Sequence, residues 1–307
     1  MNSRLTEFLK SANQVLLDKE TEISLALCCV LARGHLLIED IPGTGKTTLV
    51  LTLARLFGLK SSRVQFTNDL LPADILGSSI FDPVERKFKF HAGPIFAELL
   101  LADELNRGTP KTQSALLQAM EEGKVTVDGI THLLPKPFVL IATQNPRQQV
   151  GTYALPESQL DRFLMRIQMG YPNRAAEREL LKGERRLEMV EGLKSIFNPI
   201  QLIELQSDVD RVHASDAAIS YLQDIVESSR ETRKGTAGLS PRATIGYLQA
   251  AKAWAFLQGR TMVLPEDIQM VGIPVMGHRL SSPQDLNGQL GVQAAKEILS
   301  HVSVDQA

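Results

Sequence analysis

Leu36-Leu37-Ile38-Glu39-Asp40-Ile41-Pro42-Gly43-Thr44-Gly45-Lys46-Thr47-Thr48 passes from a short apolar run into a proline- and glycine-bearing loop, and Leu49-Val50-Leu51-Thr52-Leu53-Ala54-Arg55-Leu56-Phe57 follows with helical character. Strand, loop and helix in that order make a cradle for phosphate. Gly43 and Gly45 can take positive φ and turn main-chain N–H groups toward phosphate oxygens, while the helix behind them directs its partly positive N-terminus at the same anion. Pro42, Gly43, Thr44, Gly45, Lys46, Thr47 and Thr48 are therefore the expected phosphate contacts, with Lys46 a mobile charge for the β- and γ-phosphates and the Thr47 hydroxyl a ligand for Mg²⁺. Asp40 stands where the general pattern G-x-x-x-x-G-K-[ST] has its first glycine.

A second chemical stretch lies downstream. Leu99-Leu100-Leu101-Ala102 is continuously apolar, as a strand buried on both faces of a parallel sheet is, and it ends in Asp103-Glu104. Such a run delivers two carboxylates to the carboxyl edge of the sheet, where open α/β folds bind their ligands. Asp103 is expected to hold the metal and Glu104 to orient and polarise an attacking water. The strand-like run 137–143 ends near Asn145, which either hydrogen-bonds the γ-phosphate or the water, or is a loop asparagine before Pro146. With 63–67 and 164–169 the strand candidates number five, separated by helices, which is the layout of a doubly wound parallel sheet. Two hairpins interrupt it, at 80–90 with a charged tip and at 125–134 with an Asp128-Gly129 turn. The first is read either as a solvated turn or as a protruding contact element.

Two helices, over 4–17 and 20–33, precede the first strand, and Val15-Leu16-Leu17 is read either as an ordinary core face or as the lead-in segment that covers an adenine. After Tyr171-Pro172-Asn173 strand signals vanish, so residues 1–172 are expected to form the nucleotide-binding domain and 173–307 a second, helical one. In the latter, Ser240-Pro241-Arg242 opens a helix with Ser240 as N-cap. Because a helix N-terminus is already positive, Arg242 is read either as a solvated side chain or as one that faces an anion.

The chain has 307 residues, 43% hydrophobic and 22% charged with a formal net charge of −2, which suits a globular protein and gives no general attraction to nucleic acid or anionic lipid. Neither nucleic acid nor direct membrane insertion is expected, since no apolar run approaches the roughly 18 residues of a span. Cys28 and Cys29, the two cysteines, are adjacent in an apolar segment and read as core, and the N-terminus lacks the layout of an export signal; a cytoplasmic location is the expectation.

The motifs together resemble the MoxR group of AAA+ ATPases: E-D-I-P-G-T-G-K-T-T at 39–48, F-H-A-G-P-I-F at 90–96, L-L-A-D-E-L-N-R at 100–107, K-T-Q-S-A-L-L-Q-A-M-E-E at 111–122, A-T-Q-N-P at 142–146, L-P-E-S-Q-L-D-R-F-L-M at 155–165 and G-L-S-P-R-A at 238–243. In that group Asp40 is usual. The resemblance implies strand order 5-1-4-3-2, a smaller all-helical C-terminal lid, ATP/ADP and Mg²⁺ as ligands, and a homo-oligomeric ring, usually a hexamer. It casts Asn145 as sensor 1, Arg162 as the arginine finger that reaches a neighbour's nucleotide, and Arg242 as the sensor-2 arginine of the lid. It further implies chaperone-like work in maturing client complexes or inserting their cofactors, with partners bearing von Willebrand factor A domains. A scaffold gated by nucleotide binding, with little turnover, is the alternative. The chain departs from the group at Asp18, where a glycine is common, and at Asn68 and Ala92, where prolines are.

Overall fold

The structure, a computed structural model, describes residues 3–145, 151–183, 186–231, 238–281 and 289–302; Pro146 of the A-T-Q-N-P motif lies outside them. The strands are β1 (Leu36–Glu39), β2 (Ser61–Gln65), β3 (Gly77–Asp82), β4 (Lys87–Ala92), β5 (Leu99–Asp103), β6 (Lys124–Val127), β7 (Ile130–Leu133), β8 (Val139–Gln144) and β9 (Met165–Ile167). The main sheet runs β2-β5-β8-β1-β9, parallel throughout. Numbering only its five members in chain order gives 5-1-4-3-2, the order that the resemblance implies. β1, β5, β8 and β9 are buried along their whole length, whereas the edge strand β2 is mostly exposed. Covered faces explain the near-continuous apolar runs of the central strands.

Side chains alternate between two cores. Leu36, Ile38, Leu99, Leu101, Val139 and Ile141 join one face to the helices α1 (Ser3–Val15), α2 (Glu20–Leu31) and α3 (Lys46–Leu56), while Leu37, Leu100, Ala102, Leu140 and Ala142 point the other way, to α4 (Pro72–Leu76) and α5 (Pro110–Glu122). α5 is bounded as its sequence dictates: Thr109 caps the Thr112 amide, Pro110 takes the first helical position, and Gly123 ends it at φ +63°. Beyond α6 (Glu157–Leu160) come the C-terminal helices α7 (Arg174–Lys182), α8 (Arg186–Gly192), α9 (Pro199–Asp210), α10 (Asp216–Glu231), α11 (Pro241–Leu257), α12 (Pro265–Met276) and α13 (Gln289–His301). Of these, α9 and α11 pack on α2 in the first core, where Tyr221 and Tyr247 are fully buried and the Cys28 thiol donates to the Ala250 carbonyl at 3.3 Å. α12 continues through Pro274 to Met276.

The hairpins β3–β4 and β6–β7 stand apart from the main sheet, and the second turns on Asp128 and Gly129, both at positive φ as a two-residue primed turn requires. Asp18 resolves one departure from the MoxR pattern. It adopts φ +59°, a conformation that glycine takes freely, and its carboxylate accepts the Asn173 amide at 2.7 Å. Among the described residues no helix is long and apolar enough to cross a membrane.

β1 and β9 are joined by a buried ion pair, Arg166 Nη1 to Glu39 Oε2 at 2.8 Å with both side chains almost fully enclosed. Removing one partner strands a buried charge, so Glu39→Leu or Arg166→Met alone is expected to cost about 3–5 kcal/mol in urea-unfolding free energy, and the double replacement markedly less than their sum.

Candidate functional site

Gly43 and Gly45 take φ +88° and +90°, and Gly45 is the N-cap of α3, so the loop after β1 has the backbone that a phosphate cradle needs. A Cβ on Gly43 would meet nothing within 4 Å: the glycine is there for its conformation rather than for space. Lys46 folds back over the loop, its buried ammonium donating to the carbonyls of Asp40 at 2.6 Å and Ile41 at 2.8 Å. Burial lowers its pKa, against the pull of Asp40, Asp103 and Glu104. Asp40, in the place of the pattern's first glycine, accepts the Ile41 amide and, at 2.6 Å, the Gly170 amide, tying the loop to the segment after β9.

Asp103 ends β5 and Glu104 follows it at φ +55°, a left-handed position that costs a non-glycine residue on the order of 1 kcal/mol and is typical of functional sites. One buried hydroxyl organises both. Thr143 Oγ1 on β8 donates to Asp103 Oδ1 at 2.5 Å and accepts the Glu104 amide at 2.9 Å. Arg63 on β2 holds Asp103 Oδ2 at 2.6 Å; Asn145 Nδ2 donates to Glu104 Oε1 at 3.1 Å, and Arg107 pairs with Glu104 Oε2 at 3.0 Å. The Asn145 carbonyl is itself held by Asn106 Nδ2 at 3.1 Å.

Pro42, Gly43, Gly45, Lys46, Thr47, Thr48, Asp103, Glu104 and Asn145 line one open cleft of about 320 Å³ at the carboxyl edge of the sheet. Its donors suit a magnesium triphosphate: amides and an ammonium for phosphate, a hydroxyl and a carboxylate, all hard oxygens, for Mg²⁺. Thr47 and Asp103 are the residues that would hold the metal. Thr44 is the exception among the expected contacts, for its hydroxyl turns to the Ile41 carbonyl at 3.2 Å and it does not line the cleft. Leu16 sits beside the loop, its Cδ2 3.5 Å from where a Gly45 Cβ would be, so the lead-in segment borders the phosphate cradle.

Arg162 and Arg242 are elsewhere. Both line a second cleft, of about 230 Å³, with Arg33, Gly34, His35, Glu121, Asp161 and Arg279. Gly34 and His35 precede β1 as the phosphate loop follows it, so the clefts lie at opposite ends of that strand, whose four residues span roughly 13 Å. The anion that Arg242 faces is Glu121, shared with Arg162, whose Nε is 3.0 Å from Glu121 Oε2 in an ion pair too oblique to be a hydrogen bond. Neighbouring Asp161 binds the C-terminal helices: Arg279 Nε at 2.8 Å and the Ser240 hydroxyl at 2.9 Å both donate to it. Arg279, almost fully buried, also donates to the carbonyls of Asp161, Phe163 and Leu164.

Residues 35–165 match the ATPase family associated with various cellular activities (AAA), and residues 227–300 match the AAA lid domain. MoxR1 of Mycobacterium tuberculosis, named as a chaperone, is 37% identical over 87% of this chain and 73% of its own length, and the MoxR protein of Paracoccus denitrificans 31% identical over 91% and 89%. The chain belongs to the MoxR family of AAA+ ATPases. YeaC of Bacillus subtilis, an uncharacterized protein, is 42% identical over 98% of this chain and 94% of its own. A Cytophaga hutchinsonii protein solved as a candidate ATPase superposes with a TM-score of 0.87 at 33% identity, covering 98% of this MoxR-family chain and 94% of that one.

Arg63, Arg107 and Thr143 hold the acidic pair of the first cleft, Glu121 and Arg279 line the second, and the sequence reading assigned none of them a role. Thr143 alone carried a signal, as the polar end of a buried strand.

His35, in the wall of the second cleft, accepts the Leu140 amide through Nδ1 at 3.0 Å, which leaves its proton on Nε2. Burial, and secondarily the charge of Arg242, lower its pKa from 6.5 to about 4. The unfolded chain takes up this proton near pH 6.5 and the folded chain resists it, so stability present above that pH is lost as the pH falls toward 4, by about 2 kcal/mol after allowance for screening. His35→Gln, which keeps an acceptor for the Leu140 amide, is expected to flatten that decline in urea-unfolding measurements at about pH 7 and about pH 4.5.

Proposed function

We propose that this chain forms a ring, a hexamer by family resemblance, that hydrolyses ATP with Mg²⁺ at the contacts between subunits and uses the cycle to remodel client protein complexes. One observation supports the reading: the phosphate loop, Lys46, Asp103, Glu104 and Asn145 stand at one edge of the sheet, and Arg162 and Arg242 at the other. A chain built this way keeps Arg162 and Arg242 out of reach of its own phosphate cleft. A neighbour turned so that its second cleft meets this chain's first would supply the missing charge.

In that assembly the loop amides and Lys46 bind the phosphates, and Thr47 and Asp103 hold the metal. Mg²⁺ held there would supply positive charge to offset the charge that develops during transfer of the γ-phosphoryl group. Glu104 Oε2 orients the attacking water and takes its proton, while Asn145 and the Thr143 hydroxyl fix the direction in which that carboxylate points. Arg162 and Arg242 approach from the neighbouring subunit. The chaperone name of the mycobacterial relative supports client remodelling. Partners with von Willebrand factor A domains and a cytoplasmic setting fit the same reading.

Glu104→Gln is expected to bind ATP and Mg²⁺ within about twofold of the parent by calorimetry and to lose turnover. Lys46→Ala should lose binding. Arg162→Ala should bind normally and lose on the order of 10³-fold in kcat; unchanged turnover in assembled Arg162→Ala protein would refute hydrolysis at interfaces. If Glu104→Gln supports partner assembly as well as the parent does, binding rather than turnover arranges the partners.

A further inference from the structure

Glu121 is oddly placed for a helix residue. It lies in the last turn of α5, where the macrodipole is negative and disfavours a carboxylate, and Arg242 lies in the first turn of α11, where a cation is disfavoured in turn. Neither charge is where the stability of its own helix would put it. Each is compensated by the other, and Glu121 divides its two oxygens between two arginines, Oε1 to Arg242 Nη2 and Oε2 to Arg162 Nε. Three elements distant in sequence thus converge on one carboxylate: the end of α5, the loop after α6 and the start of α11. All three side chains remain accessible, at 34% for Glu121, 26% for Arg162 and 47% for Arg242, so the cluster is open to a visitor and is not a core ion pair.

The backbone under Arg162 is fixed independently. Asp161 is clamped by Arg279 and Ser240, and Arg279 also grips the Phe163 and Leu164 carbonyls. What that clamp leaves undetermined is the long Arg162 side chain and its distance from a second, repelling guanidinium. Glu121 settles both. Its closest contact to Arg162 is through Nε rather than through the terminal fork of nitrogens that suits a phosphate.

We propose that Glu121 is a positioning residue that holds Arg162 and Arg242 side by side as a single receptor for the terminal phosphate bound by a neighbouring subunit. This rests on hydrolysis at subunit contacts and adds to it that the two arginines act as a unit, with a carboxylate that never touches nucleotide setting their spacing. Losing the orienting group misplaces catalytic groups without removing them, which costs on the order of 10²-fold in rate, less than deleting the finger.

The test uses the full chain and variants Glu121→Gln, Glu121→Asp, Arg162→Ala and Glu104→Gln. Glu121→Gln is expected to bind Mg·ATP like the parent by calorimetry, to assemble like it by light scattering, and to lose roughly 10²-fold in kcat with KM nearly unchanged; Glu121→Asp should recover part of the loss. The decisive measurement is mixing. Glu121→Gln subunits have sound nucleotide clefts and disordered arginines, while Glu104→Gln subunits have the reverse, so a mixture should turn over faster than the sum of the two preparations alone. No such recovery, or a Glu121→Gln kcat equal to or above that of the parent, overturns the proposal while leaving interface hydrolysis standing. Full turnover in Arg162→Ala overturns the interface reading itself.

Discussion

Two carboxylates and an ammonium brought together in a small cleft are tolerable without a ligand only if each is separately compensated, and the site is organised around that requirement. Lys46 rests on the carbonyls of Asp40 and Ile41, Asp103 on Arg63 and Thr143, Glu104 on Arg107 and Asn145. The Thr143 hydroxyl is central because it touches both acidic residues at once, donating to one side chain and accepting the backbone amide of the other. It converts the parallel pairing of β5 with β8 into a fixed relation between the Asp103 and Glu104 carboxylates. Under the proposed mechanism a cation at Asp103 would compete with Arg63, and the Glu104 carboxylate is already aimed by Asn145 and Arg107.

The strand and loop chemistry was legible because it is local. A run such as Leu99–Ala102 must be buried on both faces, so its position in the sheet and the edge at which Asp103 emerges follow from the sequence alone. The same holds for Gly43 and Gly45, whose positive φ the loop composition foretold. Arg63, Glu121 and Arg279 were not legible, each for a tertiary reason. Arg63 is one polar residue of an exposed edge strand, and only the register of β2 on β5 sets it beside Asp103. Glu121 is one of two adjacent glutamates at a helix end, and the turn of the helix decides which of them meets the arginines. Arg279 follows a helix that runs through Pro274, a residue that ordinarily stops a helix, so its place beside the loop is set by tertiary packing. Thr44 is the opposite case: the motif includes it, but its hydroxyl is engaged within the loop itself.

The two clefts divide the chemistry differently from the two regions of sequence. The phosphate cleft is assembled from the sheet and its loops, whereas the arginine cleft takes Arg162 and Glu121 from the sheet region and Arg242 and Arg279 from the C-terminal helices. A motif scan assigns one role to each residue in turn; the structure groups them by the edge of the sheet at which they emerge.

Arg279 has a mechanical consequence. With five acceptors spread over Asp161, Phe163, Leu164 and Val275, a single buried guanidinium rivets the helix end near Met276 to the strap carrying Arg162. The end of α12 and the strap are thereby pinned together, so a shift of that helix end would have to break these bonds or take Arg162's backbone with it.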